Sequence, residues 1–274
     1  MVKIHDANCI KCDKCIEECR SVCISRDEKT SNIIINNDYC VECGHCYAIC
    51  PSEAISMEGK PYSATSFLTE TIISRRSCRK YKDEPVSDGD IAKIIQIANY
   101  APSATNQKKA EVIVVRNKNM LNSIKEITKN VLLDNFAMIN NPLTSIPARF
   151  FLGKSYKRIK RYKELMTPVL KSDEKDILLF NAPCFIVVHM DPKTNMPDED
   201  SHYVAYNMIL LAEQLGLSTC IMGFARRALN TKEGKKLLDI PDNHSVYTCF
   251  VLGHSDVKYL RNIPQKEIKV KFFG

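Results

Sequence analysis

The feature that most constrains this chain is a cysteine pattern that occurs twice within the first 50 residues. Each copy has the spacing C-x2-C-x2-C-x3-C, and its members are Cys9, Cys12, Cys15, Cys19, Cys40, Cys43, Cys46 and Cys50. A disulfide framework would need an oxidising compartment, and the N-terminus does not look like a signal peptide. Zinc sites typically use two pairs of cysteines rather than two quartets. The pattern therefore predicts two iron–sulfur clusters.

The spacing resembles that of the bacterial two-cluster ferredoxins, in which the fourth cysteine of each motif ligates the other cluster. The resemblance implies one [4Fe-4S] cluster held by Cys9, Cys12, Cys15 and Cys50, and a second held by Cys40, Cys43, Cys46 and Cys19. One departure between the copies is that Arg20 stands in the first where the second has Pro51. Cys23 aligns with Ala54, so we expect it to pack as a small apolar residue rather than to ligate.

Composition and charge exclude several classes of protein. A chain of 274 residues is long enough for two domains, and no apolar run approaches the roughly 18 residues of a membrane span. Thirteen cysteines, eight of them in this spacing, predict a reducing, low-oxygen cytoplasm. The net charge of +7 is uneven, with −3 in residues 1–60 and +10 in the remainder. The basic part could attract acidic partners, but no nucleic-acid recognition motif is present.

The cysteine motifs predict a ferredoxin domain over 1–58. The polar, Gly/Pro/Ser-containing stretch 58–66 is the expected connector to a second domain over 66–274. Short strands are expected near Val2–His5 and within Ser25–Asn36, with a short helix after each cysteine triplet. In the second domain, apolar periodicity predicts helices over Phe67–Arg76, Asp88–Tyr100 and His202–Leu215, and strands over Glu111–Arg116, Cys184–Met190 and Val246–Leu252. Ser87 or Asp88 is the expected helix cap, and Gly216 the expected helix end. The tail Ile268–Phe273 alternates like an edge strand.

The second domain contains several short motifs in a fixed order along the chain. Arg75-Arg76-Ser77-x-Arg79 places three guanidinium groups and a hydroxyl within five residues, which suits a phosphate. The loop Ala101–Gln107 follows the next helix. Later come Ala205–Gly216 (AYNMILLAEQLG), Leu217–Gly223 (LSTCIMG), and Arg261 beyond the last strand.

In this order the segments resemble the nitroreductase family of FMN-dependent oxidoreductases, over about Phe67 to Gly274. With the ferredoxin head, the chain looks like the ferredoxin-fused nitroreductases of anaerobes. The resemblance implies an α+β fold with a central, mostly antiparallel sheet flanked by helices. It also implies an intertwined homodimer with FMN bound at the interface.

The resemblance assigns a role to each motif. Arg75, Ser77 and Arg261 would bind the FMN phosphate, with Arg76 near phosphate and ribityl. Arg79 would reach the pyrimidine edge of the ring, where a fixed positive charge stabilises the anionic reduced flavin. The partner subunit would contribute Pro102, Ser103 and Asn106, and the backbone of Ile221, Met222 and Gly223 would lie along the ring.

Parts of the second domain depart from the family or carry no family pattern. The chain has Asn106-Gln107-Lys108-Lys109-Ala110 where many members continue N-x-Q-P-W, so an aromatic packing residue is missing. The basic segment 149–163 is expected to be a solvated helix face, with a lid or a dock for an acidic protein as the alternative. The six histidines do not cluster in the sequence, and none is expected to be a metal ligand or a general base.

Three functional hypotheses follow. In the first, electrons pass through the two clusters to FMN, which reduces a small nitro-type or unsaturated acceptor. In the second, the chain is a relay or redox sensor between proteins, with ferredoxin or another redox protein as partner. In the third, NAD(P)H drives the flavin and the clusters are the electron exit; the lack of a Rossmann fingerprint does not exclude this, since the family binds nicotinamide by stacking on FMN.

Overall fold

The computed structural model describes residues 1–59, 66–140, 154–172 and 174–274. The chain divides into two units, the first made of Met1–Ser74 and Lys258–Gly274 and the second of Arg75–Val257. This division differs from the domain limits expected from the sequence, because the C-terminal residues pack with the N-terminal unit. Tyr259, Leu260 and Arg261 each hydrogen-bond to a residue of that unit. Of the predicted connector, residues 60–65 lie outside the described part.

The described residues of the first unit form two small antiparallel sheets, three short α-helices and a 3-10 turn over Asp6–Asn8. Strand β1 (Val2–Ile4) pairs with β4 (Ile55–Met57), and β2 (Ile24–Arg26) pairs with β3 (Ile33–Ile35). The helices are α1 (Lys14–Glu18), α2 (His45–Ile49) and α3 (Phe67–Ser74). Helices α1 and α2 each begin inside a cysteine motif, and both follow a residue in the left-handed region, Asp13 at φ 60° and Gly44 at φ 73°. The predicted strands and motif helices of this unit are confirmed.

The second unit is built on a four-stranded antiparallel sheet with the strand order β5-β6-β8-β7. Its strands are β5 (Glu111–Val115), β6 (Cys184–Met190), β7 (Ser218–Ile221) and β8 (Ser245–Gly253). All seven residues of β6 are buried, because alternate side chains enter two different cores. This burial explains why β6 reads as a continuous apolar run, and it confirms the predicted antiparallel sheet flanked by helices.

Six helices accompany this sheet in the part of the unit that the structure describes. They are α4 (Asp88–Ala98), α5 (Lys118–Asn140), α6 (Lys154–Ser172), α7 (Pro197–Gln214), α8 (Gly223–Leu229) and α9 (Lys232–Leu237). Helices α4 and α7 contribute Ile94 and Met208 to one core, and α5 and α8 contribute Ile124 and Leu229 to the other. The Asp90 N–H donates to Ser87 Oγ at 3.0 Å, so Ser87 is the cap of α4. Gly216, at φ +76°, follows α7 as expected.

The predicted edge strand over Ile268–Phe273 is wrong. These residues form no strand, and Phe272 and Phe273 are 91% and 95% exposed. An alternating pattern makes a strand only where a neighbouring strand satisfies its backbone hydrogen bonds, and none of the described strands pairs with this tail. In the basic segment, residues 149–153 lie outside the described part, and the rest belongs to α6. No described helix has both the length and the hydropathy needed to cross a membrane.

Candidate iron–sulfur and cofactor sites

Four cysteine side chains of the first unit line a single cavity, although they come from both motifs. They are Cys9, Cys12, Cys15 and Cys50. Burial raises the pKa of the Cys15 thiol to about 11, and the nearby Cys50 and Cys9 thiols add to this shift. Apolar side chains from the strands, including Ile4, Ile33 and Ile55, close the remaining walls. The structure thus brings Cys50 of the second motif to the first three cysteines.

The other four motif cysteines are also neighbours. Burial raises the pKa of Cys46 to about 12, and the thiols of Cys43, Cys19 and Cys40 act on it in the same direction. Cys19 belongs to the first motif in sequence but lies with three cysteines of the second, just as Cys50 lies with three cysteines of the first. The two motifs therefore exchange their fourth cysteines. Helices α1 and α2 pack against each other, and this contact carries each fourth cysteine to the opposite group.

Cys23 lies beside the second group of cysteines. Its Sγ atom is 3.4 Å from Cys19 Sγ, and its backbone N–H donates to the same sulfur at 3.4 Å. The hydrogen bond from the Cys23 thiol lowers the pKa of Cys19 to about 6, and the same contact raises the pKa of Cys23. Cys23 is buried, with 5% of its surface exposed. Its assignment as a packing residue stays a prediction, since it also touches a cysteine assigned as a ligand.

The C-terminal segment that joins the first unit packs on the second cysteine motif. Arg261 donates from Nη1 to the Tyr47 carbonyl at 2.9 Å and from Nη2 to the Cys50 carbonyl at 2.7 Å. Its guanidinium also lies over the Tyr47 ring, 5.4 Å from the centroid. Leu260 N–H donates to the Ala48 carbonyl at 2.8 Å. The guanidinium that the family resemblance assigns to a phosphate is therefore engaged by the cysteine-bearing helix α2 and the residues that follow it.

Two further side chains hold this segment in place. The Tyr259 hydroxyl donates to the Glu18 carboxylate at 2.7 Å, and its ring meets the His45 ring edge-on. Ile263 packs so closely over Gly44 that a Cβ at this glycine would lie 2.3 Å from it. Sequence reasoning missed this packing, because about 200 residues separate the segment from the motif it covers.

In the second unit, the segment Arg75–Arg79 runs beside β7. Cys78 N–H donates to the Thr219 carbonyl at 3.0 Å, and Ser77 forms a parallel bridge with Thr219. The Nε atom of Arg75 is buried and has no hydrogen-bond partner among the described residues. A buried guanidinium nitrogen without a partner is costly, so this atom fits an anionic ligand. Arg79 donates from Nη1 to the Ser77 carbonyl at 3.2 Å.

At the end of β7 and the start of α8, Ile221 and Gly223 are exposed and the Met222 side chain is buried. Ile221 is 56% exposed, although its strand neighbour Cys220 is buried. Met222 N–H donates to the Cys249 carbonyl at 2.9 Å, which fixes the turn into the helix. A Cβ at Gly223 would meet no atom within 4 Å, so the space above this backbone is open. Strand β7 thus brings the arginine segment and residues 221–223 to one edge of the sheet.

The loop with Pro102, Ser103 and Asn106 lies near β5, at the edge of the sheet opposite to β7. The Ala104 N–H donates to both carboxylate oxygens of Asp200 in α7, at 3.0 and 3.2 Å, and the Asp200 side chain is buried. Ser103 lines a cavity with Ala110 and Val112 of the β5 edge. One chain therefore does not bring this loop to Arg75 and Ser77.

The histidines do not cluster in the sequence, but two of them meet in the structure. The Nδ1 atoms of His189 and His244 are 3.0 Å apart, and Glu111 lies beside both rings. The three residues are far apart in sequence and meet only through the strand register, so their spacing gave no signal.

The first unit thus holds two groups of four cysteines, and the second unit is built on an antiparallel sheet flanked by helices. The protein-family model for the Nitroreductase family matches residues 72–254, so the chain belongs to this family. A second model, of a 4Fe-4S dicluster domain, matches residues 8–60. The chain is thus a nitroreductase-like oxidoreductase with an iron–sulfur ferredoxin domain.

Named relatives and solved structures agree with this membership. A protein of Archaeoglobus fulgidus named "Putative NADH dehydrogenase/NAD(P)H nitroreductase" is 29% identical over 67% of this chain and 82% of its own length. The FMN-bound nitroreductase from Desulfitobacterium hafniense is 25% identical, with a TM-score of 0.55 over 76% of this chain and all of the other. An FMN-bound nitroreductase from Bacteroides fragilis, 24% identical, has the same fold at a TM-score of 0.55, over 76% of this chain and 96% of the other.

Proposed function

We propose that the chain is an iron–sulfur flavoprotein of the reducing cytoplasm that passes electrons between two [4Fe-4S] clusters and FMN and reduces a small nitro-type or unsaturated acceptor. The observation that carries this proposal is the exchange of Cys19 and Cys50 between the two cysteine groups. It matches the crossed ligation of two-cluster ferredoxins. When bound, the clusters exchange single electrons and FMN accepts or releases two.

The arrangement of the sulfurs favours clusters over single metal ions. A tetrahedral zinc site holds its sulfurs about 2.3 Å from the metal, which places them about 3.8 Å from each other. Among the described residues, no three cysteine sulfurs lie within 4.8 Å of one another. The two groups are therefore more open than a single-ion site, as a cluster with four irons requires. We assign Cys9, Cys12, Cys15 and Cys50 to one cluster and Cys40, Cys43, Cys46 and Cys19 to the other.

The second unit supplies the residues for FMN. Arg75 and Ser77 would hold the phosphate. The buried Nε atom of Arg75, which has no partner in the part of the chain that the structure describes, supports this role. Arg76 would lie near phosphate and ribityl. The backbone at Ile221, Met222 and Gly223 would lie along the ring, because this edge of β7 is open. Arg261 donates instead to the carbonyls of Tyr47 and Cys50, so our phosphate assignment rests on Arg75 and Ser77.

A homodimer would complete the FMN site. Ser77 lies at the β7 edge and Ser103 near the β5 edge, and these edges are separated by three strand spacings, or about 14 Å. Pro102, Ser103 and Asn106 of a second copy can reach a site that those of the same copy do not. Sedimentation of the holoprotein should therefore give twice the mass of the 31.1 kDa chain.

The donor experiment tests the function as a whole. We expect steady-state reduction of a nitroaromatic acceptor with reduced ferredoxin, and a lower rate with NADH or NADPH. Faster turnover with NAD(P)H would make the clusters the exit. If no donor supports acceptor turnover while reduced ferredoxin still reduces the bound FMN, the chain is a relay between proteins.

We predict that Arg79 raises the reduction potential of FMN. A positive charge beside the ring favours its reduced, negatively charged form, and one unit charge contributes roughly 1–3 kcal/mol at an effective dielectric constant near 20. Arg79→Gln should therefore lower the two-electron potential by roughly 20–65 mV. Redox titration of the bound FMN measures this change. Lys80→Gln, which removes a neighbouring charge, is the control; equal potentials in wild type and Arg79→Gln, with FMN fully bound, would refute the role.

A further inference from the structure

Three side chains with metal-ligating atoms meet at one end of the sheet in the second unit. They are Glu111, His189 and His244, and one ligand atom from each lies within 4.8 Å of the others. Glu111 begins β5 and His189 is its direct partner in β6, so both side chains lie on the same face. His244 precedes β8 by one residue. Neither the clusters nor the FMN assignment uses any of the three.

Local backbone features bring the His189 and His244 side chains together. The β6–β8 register shifts between Val188 and His189, and such an irregularity re-aims the side chain that follows it. The His244 N–H donates to the Pro241 carbonyl at 2.8 Å, which fixes the turn before β8. The two imidazole rings then face each other, with centroids 5.2 Å apart and Nδ1 atoms 3.0 Å apart.

Distances and burial fit a divalent transition metal. Ligands about 2.0–2.1 Å from a tetrahedral metal lie about 3.4 Å apart. The Nδ1 atoms of the two imidazoles are 3.0 Å apart, and the two carboxylate oxygens of Glu111 lie 4.0 Å from His189 Nε2 and 4.0 Å from His244 Nδ1. His189 is buried, whereas Glu111 is 59% exposed, so an ion can enter from the Glu111 side.

We propose that Glu111, His189 and His244 bind a zinc ion, with water in the fourth position. Imidazole and carboxylate are ligands that zinc accepts, and two histidines with one carboxylate leave one position open. Coordination through both Nδ1 atoms moves the proton between them to Nε2 of the ring that carried it, so both imidazoles stay neutral. The ion would tie the edge strand β5 to β6 and to the turn before β8. The proposal does not depend on the clusters or on FMN.

Zinc loading of the holoprotein tests the site. Wild type, Glu111→Gln, His244→Ala and His202→Ala are incubated anaerobically with ZnCl2 and desalted, and zinc and iron are measured in each sample. We expect one zinc per chain in wild type and in His202→Ala, and none in Glu111→Gln or His244→Ala, at equal iron. His202 is the matched control, since it is an exposed histidine of α7 next to Asp198. Glu111 is exposed at the start of an edge strand, so its variant should fold even if His244→Ala does not.

Two further readouts separate this site from a hydrogen-bonded histidine pair and from zinc bound to cysteine. Zinc-edge X-ray absorption should show only nitrogen and oxygen neighbours at about 2.0–2.1 Å, without sulfur at about 2.3 Å. Added zinc should raise the Tm of wild type but not of Glu111→Gln, because a ligand that binds the native state stabilises it. Sulfur in the zinc shell, or equal zinc in wild type and Glu111→Gln, would overturn the proposal.

Discussion

Removing Cys9 and Cys50 together should cost the protein no more iron than removing either alone. If these cysteines hold the same cluster, each single alanine variant and the double variant lose about four of eight irons. Removing Cys9 and Cys19 together should instead cost all eight, because these two cysteines hold different clusters. Iron and acid-labile sulfide analysis of the four variants, reconstituted anaerobically, measures the difference.

This pair of double variants separates crossed from uncrossed ligation without any need to tell the clusters apart. In an uncrossed protein the outcome is reversed, since Cys9 and Cys19 would share a cluster and Cys9 and Cys50 would not. Non-additivity of this kind is the signature of residues that act as one unit. Complete iron loss in the Cys9/Cys50 double variant, with four irons kept in the Cys9/Cys19 double variant, would falsify the assignment.

Cys23→Ala is the matched control for these losses. Its sulfur lies 3.4 Å from Cys19 Sγ, so it is the residue best placed to replace a missing ligand. We expect Cys23→Ala to keep all its iron, as a packing residue would. We expect Cys19→Ala to lose half. Equal losses in Cys19→Ala and Cys23→Ala would show that Cys23 ligates.

Most of the fold could be predicted from local sequence patterns. Each cysteine motif spans eleven residues, so it can be recognised within one short segment. Strands such as Cys184–Met190 are buried on both faces and therefore stand out as continuous apolar runs with clear ends. Ser87 and Gly216 marked a helix start and a helix end through backbone chemistry that depends on a few neighbours. Features of this range can be predicted, because their physical cause lies within the same short segment.

Features that depend on distant partners could not be predicted. The pairing of His189 with His244 follows from the β6–β8 register and from its shift at Val188, neither of which the sequence spacing reveals. The alternating tail Ile268–Phe273 has the pattern of a strand but no neighbouring strand. Arg261 follows the last strand, and the sequence does not say which unit its segment joins.

Arg75→Ala and Arg261→Ala should each affect a different cofactor: the first FMN and the second the iron–sulfur clusters. The buried Nε atom of Arg75 has no hydrogen-bond partner among the described residues, so the loss of Arg75 should weaken FMN binding by roughly 1.5–3 kcal/mol, the value of a charge-assisted hydrogen bond. This corresponds to a dissociation constant roughly 10- to 150-fold higher. FMN titration into the deflavinated protein measures it, and the iron content of this variant should not change.

Arg261→Ala should leave the FMN dissociation constant within about twofold of wild type and should lower the stability of the cysteine unit. Its guanidinium makes two hydrogen bonds to the carbonyls of Tyr47 and Cys50, which α2 and the residues after it present beside a proposed cluster ligand. Losing these bonds frees the Cys50 backbone, so iron should be released faster on exposure to a chelator. Arg261→Lys keeps the charge but not the fork that spans both carbonyls, and it should release iron at an intermediate rate. If Arg261→Ala weakens FMN binding as much as Arg75→Ala and leaves iron release unchanged, then Arg261 holds the phosphate, as the family resemblance implied, and the contacts with Tyr47 and Cys50 have no role in cluster retention.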